Sequence, residues 1–276
     1  MQLRKAAVSR CILYAVLIIT SLLMIAPFLW MISSSLKLEK EVFEVPIKWI
    51  PEKFQWTNFA EVFERGPFLR YYLNTVVIAV SVTVLQIVTC SLAAYAFSKI
   101  EFPERDTLFL LYLSTMMIPF AVIMIPQFVV IRTLGLLDSL LALVLLHAFN
   151  PFGVFLFRQF FMGIPGELSQ SARIDGCGEF CAYSRIVLPL ASPAIVSLVI
   201  FTFVAQWNDF LGPLIYLSTE TKKTLQLGLR TFRTQYNQEY ALLMAASLVA
   251  MLPTILVYLF AQKRFVEGVA VTGLKG

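Results

Sequence analysis

The sequence predicts an all-α membrane protein with six transmembrane helices and a polar helix–break–helix segment between the fourth and the fifth. Of its 276 residues, 59% are hydrophobic and only 14% are charged, whereas a soluble domain carries about 25% charged residues. Six apolar stretches are each long enough to cross a hydrocarbon core about 30 Å thick as a helix. A membrane barrel would need short alternating strands, a pattern that the sequence lacks.

The six predicted spans follow one another along the whole chain. They are residues 12–32, 73–97, 107–125, 140–157, 193–216 and 240–261. Helices are expected because each backbone polar group must be satisfied within its own segment in lipid. The first span follows Arg4, Lys5 and Arg10, as in a signal peptide, but its apolar run is too long and we expect it to be retained. The sequence therefore predicts one transmembrane domain, residues 1–276.

The charges of the loops leave the orientation open. With the N-terminus inside, basic residues are divided about equally between the two sides, so the positive-inside rule does not decide. The basic cluster before the first helix favours an inside N-terminus, and an even number of spans then places the C-terminus on the same side. The net charge of +5 suits the flanks of membrane spans and does not indicate a nucleic-acid partner.

Polar residues within the second span are candidates for a transport pathway. Thr83, Gln86 and Cys90 share one helical face. Such a face serves either for packing and hydrogen bonding between helices or as the lining of a path. We single out Gln86 as the candidate pathway residue.

The fourth and fifth spans contain the other candidates. His147 and Asn150 lie one turn apart, and Pro151 interrupts the helix. His147 is either a bundle histidine or a proton relay, and Asn150 is a candidate pathway residue. Asn208 and Asp209 lie near the end of the fifth span, a position that suits either a gate or an interface cap.

The sequence offers no catalytic or metal-binding constellation. It contains no nucleotide-binding glycine motif, and with a single histidine it shows no obvious metal cluster or serine-type triad. We expect its four cysteines to be free thiols, since two sulfurs without a histidine make a poor zinc site. They are Cys11, Cys90, Cys177 and Cys181.

The polar segment 158–189 separates the fourth span from the fifth. Good helix formers fill residues 167–175, and Gly176 and Gly178 then break the helix. A second short helix is predicted over residues 179–187, ended by Leu188 and Pro189. The segment therefore presents two short helices joined by a sharp break.

The spacing within this segment resembles the cytoplasmic loop of ABC importer permeases. The family signature reads E-A-A, three residues, G, nine residues, I-x-L-P. The matching residues here are Gln170, Ser171, Ala172, Gly176, Ile186, Leu188 and Pro189. Gln170 and Ser171 replace the family's Glu and Ala, so the acidic group that the family has at the first position is missing. Arg173 and Asp175 lie inside the same motif.

The rest of the chain is similar to the carbohydrate-uptake class of these binding-protein-dependent permeases. The stretches "MIPFAVIMIPQFVVIRTLGLLDS", "WNDFLGPL" and the tail "RFVEGVAVTGLKG" carry this similarity. The resemblance implies a multi-pass permease of the bacterial inner membrane with both termini cytoplasmic. It implies a sugar substrate, a second homologous permease, two ATPase subunits and an extracytoplasmic binding protein as partners. It also implies that segment 158–189 couples to the ATPases. ATP and Mg are then bound by the ATPase subunits and not by this chain.

Other functions are weighed against this one. Within transport, the alternative substrates are glycerol phosphate or uronate oligosaccharides. A proton-coupled secondary transporter would show internal repeats and paired acidic residues within the spans, and neither is found. A membrane-embedded enzyme would need more than His147 and Asp209.

Overall fold

The computed structural model describes residues 2–232 and 239–273, with side chains described from residue 10 to residue 262 of those ranges. The end of the predicted tail, residues 274–276, lies outside the described residues. All regular elements of this described part are helical, and the main helices in chain order are α1 Gln2–Ser35, α2 Thr57–Glu64, α3 Phe68–Lys99, α4 Arg105–Ser114, α5 Phe120–Thr133, α6 Leu140–Leu146, α7 Pro151–Met162, α8 Gly166–Ile174, α9 Glu179–Ala182, α10 Leu188–Leu190, α11 Ser192–Trp207, α12 Leu211–Tyr216, α13 Leu225–Leu229 and α14 Tyr240–Gly273.

Three helical stretches are long and apolar enough to cross a membrane by themselves, namely Arg10–Ser35, Phe68–Lys99 and Tyr240–Gln262. Three bent pairs meet the same criterion when joined: Arg105–Met117 with Phe120–Thr133, Leu140–Leu146 with Pro151–Met162, and Glu179–Leu190 with Ser192–Trp207. The bends are 98°, 46° and 76° respectively. Each of the six predicted spans overlaps one of these helices or pairs.

The breaks are the main difference from the straight helices that hydropathy predicts. In the third stretch, Pro119 lies just before α5 and has an extended backbone. The preceding helix cannot continue through it, because proline lacks the N–H that a helical hydrogen bond requires. In the fifth stretch, α11 ends at Trp207 and a separate α12 begins at Leu211. The Asp209 carboxylate accepts a bond from the Gly212 N–H at 3.2 Å, which satisfies a donor that the break leaves free.

The described residues form two compact units. The first contains the chain up to Phe68 together with Gly228–Leu252. In it, the Asn58 side chain donates to the carbonyls of Ser35 and Lys37 at 2.8 and 2.9 Å. The Glu39 carboxylate accepts the first two N–H groups of α14 at 2.8 and 2.9 Å. Both contacts satisfy polar groups that a helix end leaves free.

The second unit contains Leu69–Leu227 and the chain from Pro253 onward. Its larger buried cluster joins α3 and α7 to the segment that leads into α11, with Ala94, Phe157 and Ala194 fully buried. Small residues allow close helix approach. A Cβ at Gly153 would lie only 2.8 Å from the Cys90 sulfur, so α7 and α3 are in direct contact at this point.

Candidate functional site

A buried glutamine joins three separate elements of the second unit. Gln86, on α3, is 3% exposed. Its Nε2 donates to the His147 carbonyl at 2.7 Å. Its Oε1 accepts from Asn150 Nδ2 at 3.1 Å and from the Thr202 hydroxyl at 2.7 Å. The side chain of Gln86 therefore holds α3 to the α6–α7 break and to α11.

The same face of α3 satisfies the other carbonyls of that break. Thr89 donates to the Ala148 carbonyl at 2.7 Å, and the Cys90 thiol lies 3.4 Å from the Asn150 carbonyl. The Asn150 Oδ1 caps α7, because it accepts hydrogen bonds from the N–H groups of Phe152 and Gly153 at 3.0 and 3.4 Å. A broken membrane helix requires such substitute partners. Hydrogen bonding between helices is thus a role that this face performs.

A cavity of about 630 Å³ opens beside this network. Its volume lies in the range of about 300–1,000 Å³ typical of small-molecule sites. The lining residues come from α3, the α6–α7 break and α11, and they are Gln86, Leu146, His147, Phe149, Asn150, Pro151, Phe152, Phe201, Thr202, Ala205, Gln206 and Asp209. Two of the predicted pathway positions on separate spans, Gln86 and Asn150, therefore meet Asp209 around one cavity.

Asp209 also lines a second cavity, of about 360 Å³. Leu146 and His147 are shared by the same two cavities. Asn208, the fourth predicted pathway residue, is in neither lining. It donates to the Val204 carbonyl at 2.9 Å and accepts from Gln226 at 3.3 Å.

The segment 158–189 contains the break that its sequence predicts. α8 carries Gln170 and Ser171 on its exposed side and Ala172 on its buried side. Gly176 follows with φ +83°. Its N–H bonds the Arg173 carbonyl at 3.1 Å, and the next N–H bonds the Ala172 carbonyl at 2.9 Å. This pair of bonds defines a Schellman motif with glycine at its left-handed position.

Asp175 is the last residue before this glycine. Its N–H donates to the Ser171 carbonyl at 3.0 Å, and its side chain is exposed. Gly178, in contrast, has an ordinary extended conformation with φ −70°. Only the first of the two predicted helix-breaking glycines therefore needs to be glycine for its backbone.

Charged side chains connect the two helices of the segment to α3. Arg173 on α8 pairs with Glu179 on α9 at 2.7 Å. The Tyr95 hydroxyl on α3 donates to the other oxygen of Glu179 at 2.8 Å. The Ser91 and Tyr183 hydroxyls are 2.7 Å apart. Side-chain hydrogen bonds therefore join the segment directly to α3.

The end of the segment differs from the prediction. The second helix does not stop at Leu188, since a π-helical turn, Tyr183–Val187, is followed by Leu188–Leu190. Pro189 lies in this continuation and is exposed, whereas Ile186 and Leu188 are half-buried. A π turn accommodates the missing proline donor because its bonding pattern is already shifted.

The expectation of free thiols was wrong for two cysteines. Cys177 and Cys181 form a disulfide, while Cys11 and Cys90 are free. The glycine break brings the two Cα atoms to 5.5 Å, within the reach of a disulfide.

Hydrogen bonds also join the connection before α6 to the connection after α12. Asp138, before α6, accepts from the N–H groups of Ser218 and Thr219 at 2.9 Å each and from the Thr219 hydroxyl at 2.5 Å. The Thr219 hydroxyl, followed by these N–H groups, holds the pKa of the Asp138 carboxyl far below its usual range.

Sequence reasoning missed several residues around the cavity and in the contact between segment 158–189 and α3. Tyr95, Glu179, Thr202 and Gln206 were not singled out. The polar spacing of Gln86 and Cys90 could have suggested partners on other helices, but it does not say which ones.

Long apolar helices and broken helix pairs are the architecture of an integral membrane protein. The comparisons agree. The profile described as "Binding-protein-dependent transport system inner membrane component" matches residues 86–271. The arabinooligosaccharides transport system permease protein AraQ of Bacillus subtilis (strain 168) is 35% identical over 93% of this chain and 92% of its own length.

Two further relatives are named for different substrates. The diacetylchitobiose uptake system permease protein NgcG of Streptomyces coelicolor is 31% identical, over 97% of this chain and 88% of its own length. The sn-glycerol-3-phosphate transport system permease protein UgpE of Yersinia pestis bv. Antiqua (strain Antiqua) is 35% identical, over 92% and 94%. A solved chain of a bacterial ABC transporter for the acidic polysaccharide alginate has TM-score 0.85 and 24% identity, covering 95% of this chain and 98% of that one.

The chain therefore belongs to the family of binding-protein-dependent transport system inner membrane components. It is a permease of a sugar ABC transporter and a multi-pass protein of the inner membrane, as the resemblance in its sequence predicted. The relatives are permease components of transporters and not enzymes.

Proposed function

We propose that this chain, as one transmembrane domain of residues 1–276, forms half of the path by which a sugar or oligosaccharide enters the cell. A second, homologous permease supplies the other half. With the N-terminus inside, as the family resemblance implies, six spans are proposed to place both termini and segment 158–189 on the cytoplasmic side. The observation that carries the proposal is the signature from Gln170 to Pro189, spaced as in importer permeases and carried on an exposed helix–break–helix.

The assembly is proposed to contain two ATPase subunits, one of which binds this segment. Ile174 and Phe180 flank the break and are 87% and 72% exposed. Exposed large apolar side chains on a polar loop are typical of a protein contact. The exposed face of α8 with Gln170 and Ser171 completes the contact surface. In this arrangement the ATPases bind ATP and Mg, and this chain needs no cofactor of its own.

Transport follows from unequal contacts in two states of the assembly. Closure of the ATPases on ATP moves the segment, and the bonds of Glu179 and Tyr183 pass the movement to α3. A ligand shifts such an equilibrium only by binding the two states differently. ATP in the ATPases is therefore proposed to favour one orientation of the path, and its hydrolysis the other.

An extracytoplasmic binding protein is proposed to deliver the sugar. One structural neighbour is a bacterial alginate ABC transporter in complex with an alginate pentasaccharide-bound periplasmic protein. Gln86, Asn150 and Asp209 are proposed to line the path within this subunit, with Asp209 between two cavities as a gate. Asn208 is proposed to support that gate from the same break.

A second candidate substrate is glycerol phosphate. The similarity to UgpE, at 35% identity over 92% of this chain, favours it.

The proposal is tested by affinity purification of this chain from its native membrane, followed by identification of the proteins that accompany it. ATPase subunits are expected with the wild type. Ile174→Asp should release them, since it places a charge in the proposed contact. Val45→Asp is the matched control, because Val45 is 86% exposed on a different loop. A wild-type preparation free of any ATPase would contradict the proposal.

A further inference from the structure

Two polar residues that line the cavity of about 630 Å³, Gln206 and Asp209, take no part in the hydrogen bonds of Gln86. Gln206 is 8% exposed, and its Oε1 has no partner among the described residues. A buried polar atom without a partner is costly, and a ligand that donates to it removes the cost. Asp209 adds a carboxylate with one oxygen committed to the Gly212 N–H.

Aromatic side chains complete the wall. Phe149, Phe152 and Phe201 line the cavity, and Phe152 and Phe201 pack edge to face at 5.6 Å between ring centroids. Flat apolar surfaces next to a few converging acceptors match the two chemical faces of a sugar ring, its C–H surface and its hydroxyl donors.

The charge of the wall is the decisive observation. Among its described lining residues there is one carboxylate, Asp209, and neither lysine nor arginine. The adjoining cavity of about 360 Å³ shares Asp209 and also has neither among its described lining. Recognition of phosphate or carboxylate in proteins depends on arginine, lysine or a cluster of N–H donors.

We infer that this cavity binds an uncharged glycosyl unit and disfavours anionic sugars. This inference rests on the transport role proposed above and names the substrate class of the same path. Sugar hydroxyls donate to Gln206 Oε1 and to Asp209, while the ring packs on the phenylalanines. A sugar phosphate or uronate would instead place a second negative charge near Asp209, and the described lining has neither lysine nor arginine to offset it.

The test uses the assembled transporter, purified in detergent without its binding protein. Equilibrium binding is measured at low ionic strength for arabinotriose, N,N′-diacetylchitobiose, sn-glycerol 3-phosphate and an alginate pentasaccharide. Both neutral compounds are expected to bind, and each anion at least about tenfold more weakly.

Two variants locate the effect in this chain. Asp209→Asn keeps the shape of the side chain and removes its charge. It should therefore reduce the difference in affinity between neutral and anionic compounds by about tenfold. Gln206→Leu should lower the affinity for the neutral compounds about tenfold and leave the affinity for the anions little changed. Glu52→Gln removes a charge at an exposed position outside the cavity and should leave the preference as in the wild type.

An anion that binds as tightly as the neutral compounds, or a preference unchanged by Asp209→Asn, would overturn the inference. If none of the four compounds binds while the ATPase still responds to loaded binding protein, the cavity is not a sugar site, but the proposed function stands. If the ATPase ignores every loaded binding protein, the proposed function itself fails and this inference fails with it.

Discussion

The segment 158–189 and the network around Gln86 both join separate helices through side chains, but they use different chemistry. The segment uses an ion pair between Arg173 and Glu179, whose side chains are about half exposed. The network uses only amides, hydroxyls and carbonyls, and Gln86 is almost fully buried. Water screens the first pair, whereas a charge in the second would lose several kcal/mol of hydration.

The difference indicates a division of labour. An exposed ion pair contributes little to stability, about 0–1 kcal/mol, so it can be broken and remade as the segment moves. Gln86 makes three hydrogen bonds in the buried network, and removing one member leaves others without partners. We therefore expect changes in the network to affect folding and changes in the segment to affect coupling.

The largest effect is expected for Gln86→Leu. The His147 carbonyl, Asn150 and Thr202 would each lose a partner, and each unsatisfied buried group costs about 1–3 kcal/mol. The thermal unfolding midpoint of the purified transporter should fall by several degrees. Thr83→Val is the control on the same helix, because among the described residues the Thr83 hydroxyl bonds only the Ala79 carbonyl of α3. Equal losses in the two variants would remove the special role of Gln86.

A smaller effect is expected for Gly176→Ala. An alanine at φ +83° is strained by about 1–2 kcal/mol, although a Cβ there meets no atom within 4 Å. Sugar uptake should fall about fivefold to thirtyfold. Gly178→Ala, at an equally open position with φ −70°, should transport nearly as the wild type. Similar uptake by both variants would mean that the left-handed turn is unimportant.

Glu179→Gln should reduce uptake several-fold while protein stability stays nearly unchanged. The variant keeps an acceptor for Tyr95 and loses the charge that pairs with Arg173. Uptake is compared with that of Glu167→Gln, an exposed position on α8. A large drop in unfolding temperature for Glu179→Gln would assign it a structural role instead.

The smallest effect is expected for Cys177→Ser. The two bonds at Gly176 and the Arg173–Glu179 pair hold the break without the disulfide. Uptake by the variant should remain within about twofold of that of the wild type. Loss of uptake comparable to that of Gly176→Ala would show that the disulfide is required.

Hydropathy was sufficient to predict the helical class, and each predicted span overlaps one long helix or one bent pair of helices. It could not predict the breaks, because a sliding apolar window is insensitive to the dihedral angles of Pro119 or to a cap such as Asp209. The break at Gly176 was predictable, since glycine has one strong conformational use at a helix end.

The partners of the site residues were not predictable from one sequence. Gln86 and Thr202 are 116 residues apart and meet only through the packing of α3 and α11. The signature also drew attention to Gln170, whose side chain is exposed. The hydrogen bond that joins segment 158–189 to α3 is made instead by Tyr95 and Glu179, which the signature does not include.

The most direct test measures ATP hydrolysis and sugar uptake in the same proteoliposomes, for Glu179→Gln and Gln206→Leu. The segment variant should take up fewer sugar molecules per ATP hydrolysed, at unchanged sugar affinity. The cavity variant should need more sugar for half-maximal uptake, at an unchanged ratio of uptake to hydrolysis near saturation. If both variants change the same quantity, the division between a coupling segment and a sugar cavity is contradicted.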